Sequence, residues 1–155
     1  MSRSGYIDDI DDPLQLGRWR GAVRSAMYGR RGQAFLKEML GAMDALPAKR
    51  LITKELEIDS GMPFHRGDVC ALGSVGKARG LDMSKLDPFE QEGVAAQFGI
   101  AHAMACEIMY WNDEGSHRRE TPEQRFDRMH KWIEDNIVRV SPEAADAPPQ
   151  EPPQQ

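Results

Sequence analysis

The stretch that decides the fold class is Thr121-Pro-Glu-Gln-Arg-Phe-Asp-Arg-Met-His-Lys-Trp-Ile-Glu-Asp-Asn-Ile137. A threonine followed three residues later by a glutamine is a capping box, in which each side chain satisfies an amide hydrogen that the first helical turn leaves bare. Pro122 falls at the first helical position, where the missing amide hydrogen costs nothing. Phe126, Met129, Trp132, Ile133 and Ile137 then return at three- and four-residue steps, so one side of the helix is apolar and turned to a core.

Working outward, the same period recurs. Leu16, Trp19, Val23, Ala26 and Met27 predict a helix from about Leu14 to Tyr28, with Arg20 and Arg24 on another face. Gly29-Arg30-Arg31-Gly32 reads as its stop. Phe35, Leu36, Met39, Leu40 and Met43 give a second helix closed by Pro47, and the two form an αα-hairpin. Asp87 before Pro88, with Glu90 three residues on, predicts the start of a helix that stops at Gly99. Ile100 to Trp111 predicts another, ending in the turn Asn112-Asp113-Glu114-Gly115. The middle is more ambiguous: Leu51 to Ile58 alternates in part, as a short strand does, whereas Val69 to Arg79 suits either a tightly packed short helix or the return strand of a hairpin. The fold class is mainly α, a compact multi-helix domain of five to six helices with room for one short β-hairpin between residues 50 and 80.

The chain has 155 residues and a mass of 17.4 kDa, one domain's worth. Residues 1 to 12 carry four aspartates and read as a disordered acidic segment, and residues 13 to 140 read as the domain. Residues 141 to 155, rich in proline and glutamine with no large apolar side chain, read as a disordered tail. No run approaches the length of a membrane span, and no secretory or transit signal is evident at the start, so a cytoplasmic protein without a membrane partner is expected. Cys70 and Cys106 are too few for a disulfide framework and fit a reducing compartment. The net charge of −5 conceals an asymmetry: residues 13 to 50 hold eight cations against Glu38 and Asp44. Such a basic third suits phosphate, an acidic protein, or the chain's own acidic part.

Three motifs suggest chemistry. Residues 88 to 111 have the spacing of a helix-turn-helix, with the turn at Gly99. Its reading face would be Ala101, His102, Ala103, Met104, Cys106 and Glu107, which lacks arginine or lysine for bases and phosphates, so Arg20, Arg24 and Arg31 with His102 would have to serve nucleic acid. His65, Cys70, His102 and Cys106 contain the donor types of a tetrahedral zinc site, though without a Cys-x-x-Cys pair. Gly73-Ser-Val-Gly-Lys77 resembles a phosphate loop superficially, but lacks the full glycine spacing and the hydroxyl that follows the lysine. No nucleophile elbow or paired-carboxylate spacing occurs, so no catalytic residues and no cofactor are assigned.

The blocks Arg30-Arg-Gly-Gln-Ala-Phe-Leu36, Pro47-Ala-Lys-Arg-Leu-Ile52, Val69-Cys-Ala-Leu-Gly73, Ala78-Arg-Gly-Leu-Asp-Met-Ser84, Glu107-Ile-Met-Tyr110 and Asn112-Asp-Glu-Gly115, taken in order, resemble a family of small proteins of temperate phages and prophages of proteobacteria. The chain departs from that pattern in the longer turn between Ile58 and Val69, which carries His65. The resemblance carries no catalytic residues. It implies an accessory protein that binds a host or phage macromolecule, with a protein partner first and nucleic acid as the alternative. The contact residues expected are Arg18, Arg20, Arg24, Arg30 and Arg31, because arginine is enriched where interfaces concentrate their energy.

Overall fold

The structure is a computed structural model that describes residues 2–5, 12–58, 63–116 and 118–139. Among them are six α-helices: α1 (Pro13–Tyr28), α2 (Arg30–Asp44), α3 (Ala71–Arg79), α4 (Gln91–Phe98), α5 (His102–Glu114) and α6 (Pro122–Asn136). Short 3-10 turns lie at Pro63–His65 and Met83–Lys85. The acidic run from residue 6 to residue 11 and the proline-rich tail lie outside the described residues.

Helix α5 runs through the middle, against α1, α3, α4 and α6, while α2 packs on α1, α3 and α6. The periodic positions fill the space between them: Leu36, Met39, Met43, Leu72, Val75, Met104, Ile108, Met109, Met129 and Ile133 are all buried. Seven methionines, Met27, Met39, Met43, Met83, Met104, Met109 and Met129, belong to this core. Their unbranched, polarisable chains suit the irregular gaps between helices that cross rather than align.

Local signals decide the boundaries. Thr121 and Gln124 make both bonds of the capping box, at 3.1 and 2.9 Å. Gly99 ends α4 with φ of 69°. Gly29 alone breaks α1 from α2, and Arg30 and Arg31 open the second helix rather than joining the break. The Asp87 box does not start α4. Its carboxylate accepts from the Phe89 amide at 2.9 Å in a separate turn, and Glu90, at φ −93° and ψ 85°, takes the N-cap position instead, without a side-chain capping bond.

The expected turn at Asn112–Gly115 is helical as far as Glu114. Arg128 caps this end, donating to the carbonyls of Trp111 at 2.5 Å and Asn112 at 3.3 Å, while Glu120 holds its guanidinium at 2.7 and 2.9 Å. The Asn112 and Asp113 side chains bond distant segments, so they do not compete for their own backbone.

Between α2 and α3 the optional hairpin reduces to one antiparallel bridge, Glu57 with Val69, and the helical choice holds for residues 71–79. Gly73 permits this: a Cβ there would lie 1.9 Å from the Leu56 carbonyl oxygen, so only glycine lets α3 come this close to the loop.

Residues 2–5 correct the expectation that the first twelve lie outside the domain. Arg3 and Ser4 are 1% exposed, held on the domain by a bidentate pair between Arg3 and Asp113 at 2.7 and 2.9 Å. The single cation among the four aspartates of that segment is a structural anchor, and sequence spacing has no means of pairing it with a residue this far along the chain.

Candidate functional site

Helix α1 starts where Asp12 accepts the Leu14 amide at 2.9 Å and Pro13 takes the first position. Its apolar stripe is real but lightly covered. Met27 alone among its residues is buried; Leu16, Trp19 and Val23 are half-buried and Leu14 is 73% exposed. The helix lies along α5 with a gap, and that gap is a cleft of about 620 Å³.

Leu16, Trp19, Val23, Met27 and Tyr28 form one wall; Glu107, Tyr110 and Trp111 form the other, with Asn136 closing the α6 end. The aromatic walls are braced from behind. Trp111 stacks on Trp132 at 5.8 Å between ring centroids, and Trp19 meets the edge of His102 at 6.1 Å. The Tyr28 hydroxyl donates to Asn136 at 2.9 Å. Gln33 bonds the carbonyls of Met27 and Asn136, both at 2.9 Å, and so ties the end of α1 to the end of α6.

Arg20 and Arg24 stand at the rim, with the Arg24 guanidinium 5.9 Å from the Tyr28 ring centroid. Glu107 lies within the walls and accepts the Trp111 indole hydrogen at 2.8 Å. Burial pushes its carboxyl above the ordinary range, and the indole bond offsets part of that rise.

Charge pairing separates the arginines into two groups. Arg3, Arg50, Arg79, Arg125 and Arg128 all lie within ion-pairing distance of carboxylates. Arg18, Arg20, Arg24, Arg30 and Arg31 are exposed and form no ion pair among the described residues, and the same holds for Arg66, Arg118, Arg119 and Arg139 elsewhere on the surface; what sets the first group apart is its clustering on α1 and the start of α2. Arg30 and Arg31 also sit in the first turn of α2, where the helix dipole disfavours positive charge, so helix stability does not account for them.

The helix-turn-helix segment forms with part of its outward face buried. α4, Gly99 and α5 occur as spaced, but Ala103, Met104 and Cys106 of the supposed reading face are buried in the core. Those three side chains are therefore not presented outward for base edges. His102 is exposed, yet its ring is engaged by Trp19 and Gln91.

The zinc set is likewise not assembled, and no group of three metal-binding side chains occurs among the described residues. His65 pairs with Asp68 at 3.2 Å, and Cys70 caps α3 by accepting the Gly73 amide at 3.3 Å. Cys106 and His102 do meet, at 3.4 Å. Burial pushes the Cys106 thiol up to about 11, the reverse of what an activated nucleophile or metal thiolate needs. The residues resembling a phosphate loop form α3 itself, with Gly73 to Gly76 buried and Lys77 bonded to the Gly67 carbonyl at 3.1 Å.

No described helix is long and apolar enough to cross a membrane. No family model, curated protein or solved structure matches the chain. The sequence reading names Arg20, Arg24 and the stripe of α1, and Glu107 only as part of the helix-turn-helix face; it does not set Glu107, Tyr110 and Trp111 opposite α1. The signal was there in the i, i+3, i+4 spacing of those three, which places them on one face of α5.

Proposed function

We propose that this chain is a small accessory protein that works by binding, in the manner implied by its resemblance to phage and prophage proteins, within the host cytoplasm. Its contact surface is the cleft beside α1 together with the arginines around it. The occupant is an acidic segment of a partner protein that carries aromatic or aliphatic side chains. One observation carries this reading: Arg20 and Arg24, exposed and without carboxylate partners among the described residues, flank a cleft walled by Trp19, Tyr28, Tyr110 and Trp111. Tryptophan, tyrosine and arginine are the residues in which binding energy concentrates. The cleft volume lies in the range of ligand sites, roughly 300 to 1,000 Å³.

Arginine beside stacked aromatics is also the composition of a single-strand nucleic-acid groove. Glu107 inside the walls and the net charge of −5 oppose a densely charged phosphate backbone more than a peptide whose apolar anchors enter the cleft and whose few carboxylates meet the rim arginines.

The test is selection of displayed random peptides on the immobilised protein, followed by measured affinities. Acidic sequences with apolar anchors are expected, and the double variant Arg20→Glu/Arg24→Glu weakens them at least about tenfold. Its stability stays within about 0.5 kcal/mol of the parent, since both side chains are exposed. Selected sequences without acidic bias, or affinity unchanged in the double variant, would overturn the reading. Binding of single-stranded oligonucleotides that weakens steeply with salt would replace it with the nucleic-acid alternative.

A further inference from the structure

The Arg3 guanidinium occupies a socket that other parts of the chain build. Asp113 presents both carboxylate oxygens, at 2.7 Å to Nε and 2.9 Å to Nη2. The Glu55 carbonyl accepts from Nη1 at 3.2 Å, and the Cys70 sulfur lies 3.7 Å from the same nitrogen. Burial opposes the charge on Arg3, but Cys70 and Asp113 more than offset it and hold the guanidinium firmly protonated.

The walls are braced without help from Ser2–Gly5. The Lys54 amide donates to both Asp113 oxygens at 3.3 Å, and this lysine holds a left-handed φ of 66° to do so. Asn112 bonds Asp113 at 2.8 Å, the Ile52 carbonyl at 2.8 Å and the Ala71 amide at 3.0 Å, which joins α5, the loop after α2 and the start of α3. A planar fork facing a fixed carboxylate is selective for guanidinium over ammonium.

The same segment touches the groove at second hand. The Arg3 carbonyl accepts from the Gln91 amide nitrogen at 2.9 Å, which turns Gln91 Oε1 toward His102 Nε2, 3.0 Å away, and the Cys106 sulfur, 3.4 Å away. His102 in turn braces Trp19 of the cleft wall. Gly5 keeps this contact close: its φ is 69°, and a Cβ there would lie 2.4 Å from Gln91 Nε2.

We infer that Asp113, the Glu55 carbonyl and Cys70 form an arginine-binding site that this chain's own Arg3 fills, and that its occupancy is passed through Gln91 and His102 to Trp19 at the cleft. The ligand class is a guanidinium-bearing side chain. The second half of the inference rests on the reading of the cleft given above; the first half does not.

Chemical rescue tests it. Arg3→Ala empties the socket in the full chain, and thermal melting is followed while methylguanidinium is added at concentrations far below denaturing ones. A saturable rise in Tm is expected in Arg3→Ala, with none in the parent, whose socket is full, and none in Arg3→Ala/Asp113→Asn. Methylammonium, with equal charge and no fork, gives a much smaller rise. If Arg3→Ala does not fold alone, the same titration is made during its refolding and on Arg3→Lys. Equal response with and without Asp113, or with methylammonium, overturns the site. NMR signals of the Trp19 indole and the His102 ring are expected to differ between the parent and Arg3→Ala, in which the Arg3 carbonyl that holds Gln91 is no longer anchored by the socket; signals unchanged between the two overturn the relay and leave the socket. Peptide binding indifferent to Arg20→Glu/Arg24→Glu removes the cleft reading alone.

Discussion

Helices α1 and α5 lie side by side and differ in almost every respect that packing measures. α1 has 16 residues and buries one of them, whereas α5 has 13 and buries seven. The polar groups at the end of α5 are spent on structure: Asn112 and Asp113 hold three other segments, and Arg128 caps its carbonyls. The charged groups of α1 hold nothing among the described residues except the contact of Arg24 with Tyr28. The contrast separates two uses of an amphipathic helix. One is consumed by the core, and the other keeps part of its apolar stripe and its cations for something outside.

Four measurements would break or sharpen that contrast. The largest effect belongs to the α5 side: Arg3→Ala leaves Asp113 buried without its partner and is expected to cost about 3 to 5 kcal/mol in urea denaturation. A loss below about 1 kcal/mol would show that the Arg3–Asp113 pair is not what fixes the end of α5. Next, Met109→Ala in α5 removes a fully buried side chain and is expected to cost roughly 3 kcal/mol, against less than about 1 for Leu16→Ala in α1. Equal costs would mean that α1 carries as much of the core as α5.

Caps give a finer cut. Thr121→Ala is expected to lower global stability by about 1 kcal/mol, because α6 unfolds with the domain. Asp12→Ala loosens α1 alone, so amide exchange there quickens without an equal fall in global stability. Exchange that quickens throughout the domain would place α1 in the same cooperative unit as the core.

The smallest effect is a slope with pH. The folded chain holds the Glu107 proton to higher pH than the unfolded chain, so stability falls as pH rises through that carboxyl's titration. Glu120 has the opposite sign. Arg128 holds its carboxylate below the ordinary range, so its contribution is present above that range and lost as acid protonates it. Glu107→Gln is expected to remove the first slope and leave the second, read from melting temperatures across the carboxylate range.

Much of the fold is legible in the sequence because helical period and caps are local signals. Thr121 and Gln124 lie three residues apart, and Gly99 needs only its own φ. The errors fall where a distant partner outweighs a local preference. Asn112 and Asp113 read as a turn until their bonds to Ile52, Ala71 and Arg3 are known, and Arg3 reads as one charge in an acidic run until Asp113 is found beside it. The cleft is half legible: one wall is the α1 stripe, and spacing puts Glu107, Tyr110 and Trp111 on one face of α5, but nothing in the order of residues says that this face meets α1.

The methionine-filled core also sets how the protein ages. A thioether is converted by peroxide into a polar sulfoxide, which a close-packed interior cannot readmit without loss. Seven of the nine methionines are sheltered while the domain is closed. Each transient opening therefore offers the oxidant a chance to make unfolding permanent, so in an oxidant-stressed cell the molecule's lifetime is counted in openings rather than in hours.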